Sequence, residues 1–178
     1  MVRKWQCSPF RGRMIDLIET EDADFEWMLG DGHGREGLAL PPGGVDDNKT
    51  LRIVQRLNAA LLRAHDRGAW MVVCGGEVVG LCGYLRPPVS GEVEIGFGVA
   101  ASRRNRGYAS AAVAAMLEAA KEDPLVSVVV ARTALGNLAS RRVLARNSFA
   151  QAGTEFDDDD GEVILWRRAV NQSGGPPI

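Results

Sequence analysis

The sequence predicts a mixed α/β domain, with a mostly antiparallel sheet flanked by helices. Residues 69–88 (AWMVVCGGEVVGLCGYLRPP) hold two β-rich runs joined by Gly-Gly, a pattern typical of a hairpin, and 92–100 (EVEIGFGVA) adds a third strand. Residues 125–133 (LVSVVVART) form a nearly continuous apolar run, which indicates a central strand buried on both faces. Helical segments lie between these strands, so the sheet has crossover connections.

The segment before the hairpin predicts one strand, two helices and a long loop. Residues 14–19 (MIDLIE) alternate as a short strand does, and Thr20 is predicted to cap a helix that has acidic residues in its first turn. Residues 30–48 are rich in Gly and Pro and predict a loop, which at that length is often functional. Residues 50–67 are apolar at helical spacing and predict an amphipathic helix.

The second half predicts two more helices, at 108–122 and 138–147, and a final hairpin within 155–168 with an acidic tip. No internal repeat or second domain is evident. The predicted organisation is one domain at 13–170, an N-terminal tail at 1–12 and a C-terminal tail at 171–178.

Composition excludes several classes of protein. The chain has 178 residues and a net charge of −2, which argues against a protein that coats nucleic acid. Its three cysteines have no CxxC spacing and it has only two histidines, so we expect no metal site. No stretch resembles a signal peptide or a membrane span. Free thiols then favour a reducing, cytoplasmic setting.

A basic cluster stands out at 103–106, directly after the third strand of the meander. Arg103, Arg104 and Arg106 lie within four residues and precede Gly107, where a helix is predicted to begin. The first N–H groups of a helix lack internal partners and carry partial positive charge, so they bind anions. A glycine lets an anion approach the backbone, and arginine pairs well with phosphate. The pattern predicts a pyrophosphate site, although a basic, solvated helix start without a ligand fits it too.

The stretch Arg104-Asn105-Arg106-Gly107-Tyr108-Ala109 resembles the R/Q-x-x-G-x-G/A motif of the GNAT (GCN5-related) N-acetyltransferases. The segment 92–99 is similar to the strand that pairs with the pantetheine arm in that family. Asn137-Leu138-Ala139-Ser140, followed by Val143-Leu144 and Ser148-Phe149, is similar to the N-x-x-S signature of its RimJ/RimL-like branch. The resemblance covers roughly residues 13–168.

This resemblance implies a GNAT acyl-CoA N-acyltransferase fold and acetyl-CoA as the acyl donor. It implies the following cofactor-binding residues: Phe97, Gly98, Val99, Arg104, Asn105, Arg106, Gly107, Tyr108, Ala109, Ser110, Asn137 and Ser140. The backbone N–H groups of Phe97 to Val99 are the expected oxyanion donors, because Gly96 and Gly98 permit a bulge and a close approach. Asn137 and Ser140 also fit a purely structural role as helix caps.

Glu94, with Glu92 beside it, is the candidate general base, by resemblance to a glutamate on the same strand of histone-acetylating members. Strand alternation puts both carboxylates on one face, where their repulsion raises at least one pKa. Two solvated charges on an exposed face are an equal alternative.

The sequence departs from the family at two positions. Many members carry a tyrosine seven residues after the conserved Asn, as the acid for the leaving thiolate, and here that position is Leu144. Ser140 is the remaining candidate acid. Ser148 stands where the family has glycine, at a predicted helix end.

The sequence therefore predicts an acetyl-CoA-dependent N-acetyltransferase that acts on a primary amine by direct attack in a ternary complex. The acceptor is a protein N-terminus or a small-molecule amine, read by 20–50 and 155–163. The alternative is a GNAT-fold acyl-CoA-binding or regulatory module without turnover, which the missing tyrosine favours. A homodimer is allowed, since many relatives dimerise, but nothing in the chain demands one.

Overall fold

A computed structural model describes residues 4–6, 14–158 and 161–171. They form an eight-stranded sheet in the order β1-β2-β3-β4-β5-β6-β8-β7. The strands are β1 (Lys4–Gln6), β2 (Asp16–Glu19), β3 (Ala69–Cys74), β4 (Glu77–Tyr84), β5 (Glu92–Val99), β6 (Val128–Ala134), β7 (Ala150–Asp157) and β8 (Gly161–Ala169). The helices are α1 (Asp22–Leu29), α2 (Asn48–Ala64), α3 (Tyr108–Lys121) and α4 (Leu138–Arg146), with a short 3-10 turn at Ala101–Arg103.

The predicted mixed, mostly antiparallel sheet is confirmed. Of the strand pairs among the described residues, β5 and β6 are parallel and the others are antiparallel. Helix α3 makes the crossover between these two parallel strands. The Gly75-Gly76 turn joins β3 to β4 as predicted, and both glycines have positive φ, 59° and 80°, as a type I′ turn requires.

Three boundaries differ from the sequence predictions. Part of the predicted N-terminal tail forms β1, which pairs with the exposed edge of β2, while 1–3, 7–13 and 172–178 lie outside the described residues. The final hairpin begins at Ala150 rather than within 155–168. Thr20 does not cap α1, because its hydroxyl donates to the carbonyl of Ala69 at 2.9 Å, and Glu21 takes the cap position.

The sheet has a different apolar cluster on each face. On one face α1 and α2 cover a cluster that includes Phe25, Leu51 and Met71, all fully buried. On the other face the alanine-rich helix α3 packs on the larger cluster, which includes Trp70 and Ile95. Because alanines bring α3 close to the strands, the core on this face is dense and continuous. No helix in the described ranges combines the length and hydrophobicity needed to cross a membrane.

Strand β5 changes neighbours halfway along its length. Its first residues, Glu92–Glu94, pair with β6, whereas Ile95–Val99 pair with β4. Strand β6 pairs with β8 over its whole length, from Val128 to Ala134, but with β5 only as far as Val130. The two parallel strands therefore diverge after Glu94, and a gap opens between them at the carboxyl end of β5.

Candidate functional site

The register of β5 decides which of its backbone groups face the gap. Leu85 N–H donates to Glu94 O at 2.8 Å, and Ala100 N–H donates to Val79 O at 2.9 Å. Because hydrogen bonds in an antiparallel ladder alternate in direction, the even-numbered residues of β5 bond to β4. The N–H groups of Phe97 and Val99 therefore point toward the gap. Gly98 N–H points to β4, so the prediction of Gly98 as an oxyanion donor is wrong on geometric grounds.

A helix N-terminus lies beside this gap. Gly107 is the N-cap of α3, with φ 85°, and no side chain caps the first turn. Only glycine adopts this backbone conformation without strain, and its missing side chain leaves the turn accessible. Asn105, also at positive φ (61°), shapes the preceding loop, and Tyr108 is buried beneath it. The first turn of α3 therefore fits an anion such as a pyrophosphate.

The three arginines of the loop have different partners. Arg103 donates from Nε and Nη2 to the two carboxylate oxygens of Glu77, at 2.5 and 2.7 Å. This forked contact lowers the pKa of Glu77. It also pairs Arg103 with a carboxylate of the protein itself, rather than with a ligand. Arg104 and Arg106 are exposed, and Arg104 Nε lies 3.3 Å from Val99 O at the end of β5. Arg104 and Arg106 therefore keep exposed donors that an anion could reach.

The remaining residues assigned to the cofactor lie on the first turns of α3 and α4. Ala109 is half-buried, and Ser110 is buried, with its carbonyl accepting from Asn147 Nδ2 at 3.2 Å. Asn137 is the N-cap of α4, since its side-chain oxygen accepts from Ser140 N–H at 3.1 Å. The Ser140 hydroxyl makes no hydrogen bond within the described residues. Both α4 residues follow β6, the strand on the far side of the gap.

An apolar cavity of about 200 Å³ lies on the face of the sheet opposite α3, between α2 and strands β4 and β5. Its walls include Leu57, Leu81 and Leu85, and Gly96 and Gly98 form part of its floor. A Cβ added at Gly96 would lie 2.9 Å from Leu85 Cδ2, so a side chain at that position would press into the cavity wall. The glycines of β5 thereby keep open the space beside Phe97.

The two glutamates of β5 have arginine partners. Glu94 is buried, and its Oε2 contacts Arg86 at 2.6 Å and Arg132 at 2.7 Å. Glu92 pairs with Arg167. The expected mutual repulsion of two neighbouring carboxylates therefore does not dominate this face. Solvated, unpaired charges, the other expectation, are also wrong for Glu94, which does not line the cavity.

Arg132 links this ion-pair network to the outer strands. Its Nε also donates to Glu155 at 2.8 Å, and the two carboxylates raise the pKa of Arg132, with Glu94 contributing most. Arg132 extends from β6 just past the point where β5 and β6 diverge. The pair with Glu94 therefore bridges the closed end of the gap.

Leu144 occupies the position where the family often has tyrosine. It is fully buried in the cluster under α3. A leucine there contributes packing, so the described structure supplies no phenol at this place.

Sequence reasoning missed several groups around the cavity and the loop. Arg132 carried a signal, because it is a charged residue in an otherwise apolar strand. Glu77 and Arg103 are 26 positions apart and share no motif. Asp46, at the mouth of the cavity, lies in the long loop, where no periodicity indicates which side chain turns inward.

The uncapped first turn of α3 thus lies beside the gap between β5 and β6, and an apolar cavity lies on the face of β5 that α2 covers. The sequence profile of the acetyltransferase (GNAT) domain matches residues 15–150. The chain therefore belongs to the GNAT acetyltransferase family. A comparison with curated proteins gives no significant match.

Solved structures of low sequence identity share this fold. Mycobacterium smegmatis RimJ in complex with CoA-disulfide is 20% identical, with a TM-score of 0.69, over 94% of this chain and 86% of that chain. A Salmonella typhimurium acetyltransferase, described as modifying the N-terminal serine of a ribosomal subunit protein, is 16% identical, with a TM-score of 0.66, over 88% and 95%. An aminoglycoside acetyltransferase in complex with coenzyme A is 18% identical, with a TM-score of 0.66, over 87% and 94%.

Proposed function

We propose that the protein is an acetyl-CoA-dependent N-acetyltransferase that acetylates a primary amine by direct attack in a ternary complex. The observation that carries the proposal is the position of Phe97. Its N–H points into the gap beside the uncapped first turn of α3, and the strand that holds it forms the floor of the apolar cavity. A donor in the gap and an acceptor in the cavity meet at this residue.

The residues around the gap fit the parts of acetyl-CoA. The first turn of α3, with Arg104 and Arg106, would bind the pyrophosphate. The gap-facing backbone of Phe97 and Val99 would pair with the pantetheine arm, as an added strand does, and Asn137 would bind the same arm from α4. When bound, acetyl-CoA would supply an activated acetyl group whose C–S bond can break after the new C–N bond has formed.

The chain contributes one donor and two proton carriers to our mechanism. Phe97 N–H donates to the oxygen that becomes negative when the amine attacks. Glu94 lies on the same strand as Gly96 but does not line the cavity, so it cannot reach the amine directly. In our mechanism its Oε1 therefore takes the amine proton through a water. The Ser140 hydroxyl gives a proton to the departing sulfur, directly or through water. Glu92 pairs with Arg167, and this pair contributes to the electrostatic environment of Glu94.

The acceptor in this proposal is a protein N-terminus or a small-molecule amine. Both kinds of acceptor are named among the structural neighbours, in the Salmonella enzyme and the aminoglycoside acetyltransferase. Their identity to this chain is too low to choose between them.

A module that binds acyl-CoA without turnover is the second candidate. Leu144 supports it, because the family's usual acid is replaced by a buried core residue. Such a module would bind acetyl-CoA but release no thiol with any amine.

Thermal unfolding with and without acetyl-CoA tests the binding half of the proposal. At 100 times Kd, acetyl-CoA should stabilise the protein by about 2.7 kcal/mol. Gly107→Glu should abolish the shift, since it places a carboxylate and a strained residue at the anion site. Gly161→Glu is the matched control, because Gly161 also has positive φ (71°) and nothing within 4 Å of an added Cβ.

Thiol release then separates the two candidates. An enzyme releases CoA thiol when a suitable amine is added, whereas a binding module does not. No thermal shift in the native protein would remove acetyl-CoA, and the proposed transfer, from consideration.

A further inference from the structure

One carboxylate at the mouth of the cavity is aimed at β5. Asp46 Oδ1 accepts from Asp47 N–H at 2.9 Å, which orients the side chain. Its other oxygen, Oδ2, lies 3.7 Å from the point where a Cβ at Gly98 would stand. Because Gly98 has no side chain, nothing at that position comes between this oxygen and the strand that holds Phe97.

The neighbouring carboxylate has a different task. Asp47 is the N-cap of α2, and it accepts from the N–H and the hydroxyl of Thr50 at 3.0 and 2.9 Å. These bonds lower the pKa of Asp47, the backbone bond contributing most. Asp47 does not line the cavity, whereas Asp46 does. Two adjacent residues of equal charge thus differ in position and in what they bind.

Among the described residues that line the cavity, Asp46 is the one with an acidic or basic side chain. The walls are mostly apolar, and the polar Asn58 is already bonded to Ala69 N–H at 2.7 Å. Burial raises the pKa of the Cys82 thiol and of the Tyr84 phenol, which keeps both neutral. An acceptor in this cavity therefore meets a single negative charge.

The size and charge of the cavity define the class of acceptor. About 200 Å³ is below the range of about 300–1,000 Å³ found for pockets that hold drug-sized ligands. One carboxylate balances one ammonium, and a second cation among apolar walls would be desolvated without a partner. An acidic group beside Asp46 would be repelled.

We infer that Asp46 binds the acceptor ammonium, and that the acceptor is an amine with one positive charge and a compact apolar substituent. The inference rests on the proposed function and names the substrate class of that same site. The ammonium lies beside Asp46 Oδ2 at the cavity mouth, and its apolar substituent lies against Leu57 and Leu81. Asp46 is thus a substrate-binding residue, separate from Glu94.

The test measures acetylation and binding of L-leucinamide, with lysinamide as the dication and isoamyl alcohol as the uncharged comparison. Asp46→Asn should raise the KM for leucinamide about tenfold or more and leave kcat within about threefold. Because Asp46 is exposed at the cavity mouth, added salt should raise the KM of the native enzyme more than that of the variant. Lysinamide should be a poorer substrate than leucinamide, and isoamyl alcohol should not react.

Asp47→Asn is the matched control. It removes the same charge one residue away, keeps a good capping side chain and should leave KM within about twofold. A KM in Asp46→Asn equal to that of Asp47→Asn would overturn the inference, and so would a preference for lysinamide.

Calorimetry of leucinamide with the CoA-saturated protein separates this inference from the proposed transfer. If no thiol is released but leucinamide binds and Asp46→Asn weakens that binding about tenfold, the proposed transfer fails and the assignment of Asp46 stands. If the native protein neither binds nor acetylates leucinamide, the inference is wrong, whatever acetyl-CoA does.

Discussion

At the scale of single residues, Asn137 shows how one side chain can serve stability and binding with different atoms. Its amide oxygen caps α4 by accepting from Ser140 N–H. The cap does not use the amide nitrogen, and we propose that this nitrogen donates to the pantetheine arm. A substitution that keeps the cap but removes the amide therefore separates the two roles.

We expect Asn137→Ser to keep most of the stability and to weaken acetyl-CoA binding. Serine is also a good N-cap, so its free energy of unfolding should stay within about 0.5 kcal/mol, whereas Asn137→Ala should lose about 1 kcal/mol. Urea unfolding and acetyl-CoA titration measure the two effects. Native affinity for acetyl-CoA in Asn137→Ser would leave Asn137 as a cap alone.

Glu77 provides a prediction about pH. Arg103 holds the pKa of Glu77 below its usual value of about 4.3, so Glu77 binds a proton less readily in the folded protein than in the unfolded chain. Its contribution to stability is present above that value and is lost as the pH falls through the lowered, folded-state pKa.

The variant Glu77→Gln should therefore be less stable than the native protein at pH 7, with a difference that shrinks below about pH 4. The effect is small and decreases with salt, because the pair is partly exposed. Urea unfolding between pH 3 and 7 measures it. A difference that is constant across this range would show that the forked pair with Arg103 does not stabilise the fold.

At the scale of helices and strands, the end of α4 carries strain that a substitution can remove. Ser148 has φ 59°, in the left-handed region that glycine adopts without penalty. We expect Ser148→Gly to raise the free energy of unfolding by about 1 kcal/mol. Arg142→Gly, inside the same helix, is the opposite control and should lose about 0.5–1 kcal/mol. Equal losses in both variants would contradict the assignment of strain.

Local patterns predict the elements of this protein well. The Gly75-Gly76 turn, the valine-rich strand and the alanine-rich helix follow from backbone preferences and short-range periodicity, and the structure contains each of them. The predicted cap of α1 at Thr20 was wrong, because the Thr20 hydroxyl donates to the carbonyl of Ala69 across the sheet instead. Such a bond joins positions 49 apart, and no local pattern indicates it.

The candidate site likewise has parts that a local pattern predicts and parts that depend on contacts between distant positions. The residues from Arg104 to Ala109 carry a motif, so the helix that begins after Gly107 could be predicted from the sequence, and the anion site there stays a prediction. The partners of Glu94 could not, because Arg86 and Arg132 reach it through the register of the sheet. The position of Asp46 could not be predicted either, because it depends on the path of a loop that has no periodicity. Asp46 lies 52 positions from Gly98 in the sequence.

At the scale of the whole molecule, a buried charge cluster joins the two helical layers. Asp123, at the end of α3, contacts His65 Nε2 at 3.0 Å and Arg67 Nε at 3.7 Å. Arg67 also donates to Ala119 O at 2.9 Å. These side chains are almost fully buried, and they tie the end of α2 to the end of α3 across the edge of the sheet.

We expect Asp123→Asn to destabilise the protein by about 3 kcal/mol or more. The substitution removes the negative charge that the buried side chains of His65 and Arg67 contact. Glu118→Ala is the control, since Glu118 makes an exposed ion pair with Lys121 and should change stability by less than about 0.5 kcal/mol. Urea unfolding measures both variants. A loss below 1 kcal/mol in Asp123→Asn would mean that solvent or another group neutralises Arg67.

The alternation along β5 constrains how such a protein can change its substrate. Even-numbered residues of β5 bond to β4, and Gly96 and Gly98 among them leave the cavity open, while the N–H groups of Phe97 and Val99 face the gap and odd-numbered side chains fill the core. A one-residue insertion in β5 would exchange every one of these duties at once. A change in the loop that carries Asp46 alters only the cavity mouth. If the protein is the enzyme that we propose, a change of acceptor is therefore more accessible through that loop than through β5, and the residues proposed for transfer can stay the same.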